Sequence, residues 1–264
     1  MATRIYYFTG TGNSLAAAGE LASKLGGAEV LPMTAVLNGR SIPEDTDCLG
    51  LVFPVYIFGP PLIVREFISR LTVKPDTYIF SVATMGGMAC RTQVVVHDDL
   101  AARGLALAYS GNVRMPDNYT PFHGALPLAK QQDLFKAASR TLESIARVVL
   151  MRGTGKPATD RPLLNFLFAA IYRWTGPRIP GMDEKFTVDQ SCSKCGLCAQ
   201  VCPARNIVMT DGKPVWQHRC QQCLACLHFC PVAAIQHGKK TRGRQRYHHP
   251  QASAVTLRNQ ADAK

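Results

Sequence analysis

Carboxylates are scarce in this sequence: 18 Asp and Glu stand against 30 Lys and Arg, for a formal charge of +12. Such a deficit would suit a nucleic-acid binder, yet no recognition motif accompanies the charge, and no nucleic-acid partner is expected. The deficit is also local. Residues 1–126 carry 9 basic and 10 acidic residues, a net of −1, whereas residues 127–264 carry 21 and 8, a net of +13. No Gly-Lys-Ser/Thr follows a glycine-rich turn, which excludes a P-loop for ATP. Outside the strand-like segments no apolar run approaches the roughly 20 residues of a membrane-spanning helix; the longest covers 163–172. The chain opens straight into a strand pattern, with no basic segment leading to an apolar run and cleavage site. No secretory leader is therefore expected, and a reducing cytoplasm is the expected location. With 264 residues, 47% of them hydrophobic, the chain is long enough for two domains and a sizeable core.

Cysteine, by contrast, is plentiful and concentrated. Eight of the ten lie between Cys192 and Cys230. They read Cys192-Ser-Lys-Cys195-Gly-Leu-Cys198-Ala-Gln-Val-Cys202-Pro203 and Cys220-Gln-Gln-Cys223-Leu-Ala-Cys226-Leu-His-Phe-Cys230-Pro231. Each half is C-x2-C-x2-C-x3-C-P, and the second is the first shifted by 28 residues. Ile207 and Ile235 keep the same offset, so apolar packing repeats along with the thiols. Three cysteines at this spacing can curl their backbone round three corners of an iron–sulfur cube. The fourth, carried away by the following proline, reaches the other cube. The spacing thus assigns Cys192, Cys195, Cys198 and Cys230 to one [4Fe–4S] cluster, and Cys220, Cys223, Cys226 and Cys202 to a second. The alternatives are two zinc sites, which more often pair C-x2-C with a distant second pair, and a disulfide framework, which needs an oxidising compartment. The segment resembles a bacterial ferredoxin with two [4Fe–4S] clusters.

The first half reads differently. Arg4 to Phe8 is an apolar, aromatic strand pattern that feeds Thr9-Gly10-Thr11-Gly12-Asn13-Ser14 and then a helix pattern from Leu15 to Leu25. A strand, a glycine and hydroxyl loop and a helix start make a phosphate site, because unpaired backbone N–H groups point outward and glycine admits the anion. A dinucleotide fingerprint would need a third glycine where Leu15 stands. The loop resembles the Thr-x-Thr-Gly-Asn-Ser/Thr loop that holds the FMN phosphate in flavodoxins. Further strands are expected at Ala28–Pro32, Asp47–Phe53, Tyr78–Ala83 and Leu105–Val113, with helices at Leu62–Leu71, Arg91–Arg103 and Pro127–Met151. Five strands with helices between them imply a doubly wound parallel sheet, whose ligands bind at the strands' C-terminal ends. Two more loops fall at that edge. Pro54-Val55-Tyr56-Ile57-Phe58-Gly59 offers two aromatics for a flat ring, with Tyr56 or Phe58 as the stacking candidate. The loop Thr84-Met85-Gly86-Gly87 matches by resemblance the second ring-binding loop. The first lacks the glycine-rich sequence usual in flavodoxins.

The fold expected is therefore α/β, a flavodoxin-like five-stranded parallel sheet followed by a small α+β ferredoxin domain with two clusters. The domains expected are 1–152 for FMN, a connector at 153–184 with a short apolar helix from Pro162 to Trp174, the cluster domain at 185–238, and a basic tail at 239–264. The tail is open to three readings: a solvated polar tail, a recruiter of an acidic partner, or a segment folded back on the cluster domain. The order of parts resembles the fused ferredoxin–flavodoxin proteins of bacteria and archaea, the EFR family of ferredoxins, over nearly the full length. The resemblance implies an electron-transfer protein that passes electrons between FMN, two [4Fe–4S] clusters and an external, acidic protein partner. The alternative is an FMN-dependent oxidoreductase acting on a quinone, porphyrinogen or nitro compound, with Tyr56, Tyr119 or His123 as proton donor. A third reading is an iron–sulfur sensor whose basic tail contacts nucleic acid.

Overall fold

The computed structural model describes residues 2–160 and 165–263. Five strands form one parallel sheet in the order β2-β1-β3-β4-β5. They are β1 (Thr3–Tyr7), β2 (Glu29–Pro32), β3 (Cys48–Pro54), β4 (Tyr78–Met85) and β5 (Leu107–Arg114). Between them run α1 (Asn13–Lys24), α2 (Met33–Leu37), α3 (Leu62–Ser69) and α4 (Thr92–Ala101), and α5 (Leu128–Leu150) follows β5. The topology is flavodoxin-like, and the strand order reverses at β1, which opens a crevice between β1 and β3.

Side-chain alternation divides the core into two layers. Ile5, Tyr7, Val52, Phe80 and Val82 face one way, where α1 supplies Ala17, Ala18 and Leu21 and α5 supplies Leu142, Ile145 and Val149. Tyr6, Phe8, Leu49, Leu51, Phe53 and Ile79 face the other, against Ile63, Val64 and Phe67 of α3 and Val96 and Leu100 of α4. Strand β3 is buried throughout, which is why its sequence is apolar rather than alternating. Gly50 lies beside Phe80 in the ladder, and the Phe80 ring fills the space where a Cβ would stand, 2.5 Å away. Each fully buried large side chain of these layers contributes about 1.5–3 kcal/mol.

After α5 come α6 (Asn165–Thr175), a stretch of 3-10 helix over 176–185, β6 (Phe186–Val188), α7 (Leu197–Gln200), β7 (Ile207–Thr210), β8 (Lys213–Trp216), α8 (Ala225–His228), β9 (Ile235–His237) and α9 (Ala254–Asp262). The small strands pair antiparallel, β6 with β9 and β7 with β8. The opening residues of the expected connector helix lie outside the described residues; α6 carries the rest. It docks through Tyr172, whose ring covers Gly59 and whose hydroxyl donates to the Pro60 carbonyl at 2.6 Å. Among the described residues no helix is long and apolar enough to cross a membrane.

The C-terminal segment is no solvated tail. Arg242 pairs with Asp189 at 2.5 Å, Arg244 donates to the Thr120 carbonyl, and Arg246 donates to the Ile235 carbonyl. Tyr247, Ala252, Leu257 and Ala261 are buried. Helix α9 starts at a reciprocal cap between Ser253 and Thr256, whose side chains each accept from the other's backbone N–H.

Candidate metal centres and the loop edge beside them

The two cysteine triplets have the same backbone. Lys194, Gly196 and Arg205 are left-handed, and so are Gln222, Leu224 and Ala233, each 28 residues on. The left-handed positions turn each triplet back on itself and start the short helices α7 and α8. Asn206 N donates to Cys202 Sγ at 3.3 Å, and Ala234 N donates to Cys230 Sγ at 3.2 Å, again at the same offset. Gln222 N donates to Cys220 Sγ at 3.2 Å. Amide donors aimed at sulfur suit a thiolate that has given up its proton.

The sulfurs gather in two cavities. One is lined by Cys192, Cys195, Cys198 and Cys230, with Leu197, Met209 and Ile235. The other is lined by Cys202, Cys220, Cys223 and Cys226, with Phe186, Ile207 and Trp216. Each triplet therefore shares its cavity with the last cysteine of the other repeat. Among the described residues no three His, Cys, Asp or Glu converge on the position of a single ion.

Burial differs between the two. Cys202, Cys220 and Cys226 are buried, whereas Cys195 is exposed and Cys192 and Cys198 are partly so. Burial pushes the thiols of Cys198 and Cys220 up, to about 11 and about 12, and raises Cys223 and Cys226 as well. A backbone hydrogen bond from Leu197 lowers Cys195. Buried donors without a protein partner also stand near these thiols. They include Trp216 Nε1 in the wall of the inner cavity, Tyr56 Oη, which lies near Cys223, and Arg246 Nε and Nη1, which feel the charge of Cys230 and Cys226. The donor set fits an iron–sulfur cluster: four thiols in each cavity, with backbone N–H groups on sulfur.

One latch escaped the sequence reading. Asp183, fully buried, accepts from Asn206 Nδ2 at 2.8 Å and His218 N at 3.0 Å, and pairs with His218 Nδ1 at 2.7 Å. Asn206 Oδ1 in turn accepts from the backbone of Gln217 and Arg219. These bonds fix the approach to Cys220 relative to Cys202. Nothing in the local sequence of Asp183 announces the role. The ring of Phe186 stacks flat on Trp216, centroids 5.2 Å apart, and closes the cavity's apolar side.

The three loops expected to hold FMN do meet at the C-terminal edge of the sheet. Ser14 Oγ shares a hydrogen bond with Thr84 Oγ1 at 2.8 Å, and Val55 N donates to the Thr84 carbonyl. Their contacts, however, are with protein. Phe58, left-handed like Ile57, packs on Phe168 of α6 with centroids 4.2 Å apart. Tyr56 turns toward Cys223, Pro54 is buried in the sheet, and Gly86 lies against Asp117, while Gly87 is open. Beside Gly10 lie the Cys223 carbonyl and the Tyr56 hydroxyl, 2.4 and 2.7 Å from where a Cβ would stand. Beside Gly12 lies Ala252, which fills the place of a Cβ. Thr9, Thr11, Asn13 and Ser14 are all buried. Protein groups thus stand close to the loop where the FMN phosphate is expected.

No protein family matches the chain, nor does any curated protein. Solved structures resemble its first half. A flavodoxin from the domain Archaea is 11% identical over 56% of this chain and 99% of its own, with a TM-score of 0.37. An FMN-dependent NADH-azoreductase from Bacillus anthracis, solved with FMN, is 9% identical over 57% of this chain and 100% of its own, with a TM-score of 0.38. A flavoprotein from Lactobacillus acidophilus, also solved with FMN, is 15% identical over 42% and 92%, with a TM-score of 0.32. The class of the first half rests on its own strand order: it is a flavodoxin-like domain.

Proposed function

We propose that this protein is an electron carrier holding two [4Fe–4S] clusters, one on Cys192, Cys195, Cys198 and Cys230, the other on Cys202, Cys220, Cys223 and Cys226. The observation that carries the reading is the exchange of the last cysteine between the repeats, so that each cavity has four thiols drawn from both. When bound, each cluster takes up and gives back one electron. The chain supplies the rest. The apolar walls from Phe186, Ile207 and Trp216 keep water from the inner site. Amides of Asn206, Gln222 and Ala234 stabilise charge on the sulfurs, which together with burial sets the potentials.

The outer site faces solvent at Cys195, with exposed Lys194 and Lys213 in the same region. An acidic protein partner would exchange electrons there, through the positive surface that steers encounter. FMN would need its loop opened, so this reading gives it no step. The rival reading as a flavoenzyme asks for a proton donor over an open ring site. Tyr56 Oη is buried, Tyr119 packs on Phe122 and the cysteine-rich core, and His123 sits at the surface beside Asp117. The three do not converge.

Anaerobic purification with metal and acid-labile sulfide counts tests the proposal. Eight iron and eight sulfide per chain are expected from the two tetrads. Stoichiometric zinc, or a chain that stays colourless after reconstitution, would overturn it.

A further inference from the structure

The glycines that read as room for a phosphate are filled from elsewhere in the same chain. Residues 247–263 cross the Thr9–Ser14 loop and bond to Thr9, Thr11 and Asn13. Gln260, fully buried, accepts from Thr9 N and donates to the Thr9 carbonyl, both at 2.9 Å. His249 N donates to the Thr11 carbonyl at 2.8 Å. Tyr247 Oη donates to Asn13 Oδ1 at 2.5 Å. Thr34 Oγ1 donates to the Gln260 carbonyl, and Asn38 Nδ2 to that of Ala263 at 2.6 Å, so the end of the segment is fixed as well. Ala252 lies on Gly12, and the loop's own Thr11 hydroxyl accepts from Asn118 Nδ2 at 2.6 Å. A two-pronged contact from a buried amide to one residue's N–H and carbonyl copies a backbone pairing, and removing it leaves both groups unsatisfied.

The segment's other face belongs to the cysteine module. Ala252 and Leu257 pack with Val201, Ala225 and Phe229, neighbours in sequence of Cys202, Cys226 and Cys230. The same strap thus holds the loop and the base of the cluster sites.

We propose that residues 247–263 are the internal occupant of the Thr9–Ser14 loop, and that this segment and FMN are mutually exclusive there. The loop's glycines admit either occupant, since Ala252 stands where a side chain at Gly12 would. The folded chain holds the strap, and FMN enters only as the strap leaves. This does not depend on the clusters being iron–sulfur, because every contact cited is between protein groups.

Amide hydrogen exchange on the metal-loaded full chain, with and without added FMN, reads the exclusion directly. Without FMN, amides of Thr9 to Ser14 and of 247–263 are expected to exchange slowly together. FMN at saturation is expected to speed exchange in 247–263 while the loop stays protected. The variant Gln260→Ala is expected to loosen both segments and to bind FMN about tenfold more tightly in a fluorescence titration, the size of one lost buried contact pair. One FMN per wild-type chain with no change in exchange at 247–263 would overturn the proposal. So would a Gln260→Ala protein whose strap exchanges freely yet which takes no more FMN than the wild type. Should that variant fold poorly, the wild-type exchange pattern decides alone.

Discussion

Tyr56 Oη and Arg246 Nε and Nη1 are buried hydrogen-bond donors that the protein itself leaves without acceptors. Such groups cost about 1–3 kcal/mol each when left unpaired, so their placement near separate cysteines calls for an acceptor there. Tyr56 lies by Cys223 of the inner tetrad, whereas Arg246 feels Cys230 of the outer tetrad first and Cys226 of the inner one as well. A donor to sulfur, or a cation beside it, favours the reduced cluster and raises its potential. Tyr56→Phe should therefore lower the inner potential, and Arg246→Gln the outer one, each by about 20–60 mV, the one-electron equivalent of a typical hydrogen bond. Redox titration followed by electron paramagnetic resonance separates the two, and an Arg246→Gln shift larger at the inner cluster than at the outer would refute the assignment. His249 makes a second test. Burial lowers its pKa from 6.5 to about 4, so the ring is neutral where it packs on Phe135. A group whose folded pKa is depressed stabilises the fold above its unfolded value. That contribution is lost as pH falls from about 6.5 toward 4, and exchange in 247–263 should quicken over this window. Exchange insensitive to pH after correction for the intrinsic rate would contradict the burial of the ring.

At the scale of elements, the doubled cysteine run makes a prediction that runs against sequence proximity. Cys202 lies in the first repeat but lines the cavity of the second, and Cys230 does the reverse. Cys202→Ala should deplete mainly the inner cluster and Cys230→Ala mainly the outer, each leaving about half the iron, as read by iron count and spectroscopy. Equal loss of both clusters in both variants would show instead that the module folds only as one metal-bound unit. The elements of the first half were legible because apolar period and glycine-rich turns agree there: all five strands lie within a few residues of their expected places. Helix α2 was not anticipated, being five residues with no cap of its own. Of the three readings open for the tail, the structure shows the one in which it folds back on the protein. Its arginines suggest solvent, but they reach carbonyls and Asp189, and the apolar positions that bury α9, Leu257 and Ala261, are too few to set a period. The loop edge was legible in place, while the protein groups that approach it were not. A glycine at positions 10 and 12 announces that something comes close to the backbone, and phosphate, a Cys223 carbonyl and Ala252 all meet that description.

Across the whole molecule, the flavodoxin-like sheet and the cysteine module share one contact region. The crevice where the strand order reverses, the expected ligand edge of such a sheet, receives Cys223 on one side and the C-terminal strap on the other. The inner tetrad is thereby buried against the sheet domain, while the outer tetrad keeps the exposed Cys195. Electrons would enter and leave at the outer site, and the basic surface there predicts that electron transfer to an acidic protein slows as salt rises, over the range where the screening length falls from about 10 to 3 Å. A rate unaffected by salt would place the partner elsewhere. The proposed clusters bear on the charge balance too: two oxidised clusters with their thiolates would add about −4 to the half of the chain that carries +13. The account rests on what the eight clustered thiols bind, and the direct measurement is iron, sulfide and zinc per chain on anaerobically prepared protein. It predicts about eight iron, eight sulfide and no stoichiometric zinc. Two zinc ions, or no metal, would contradict it.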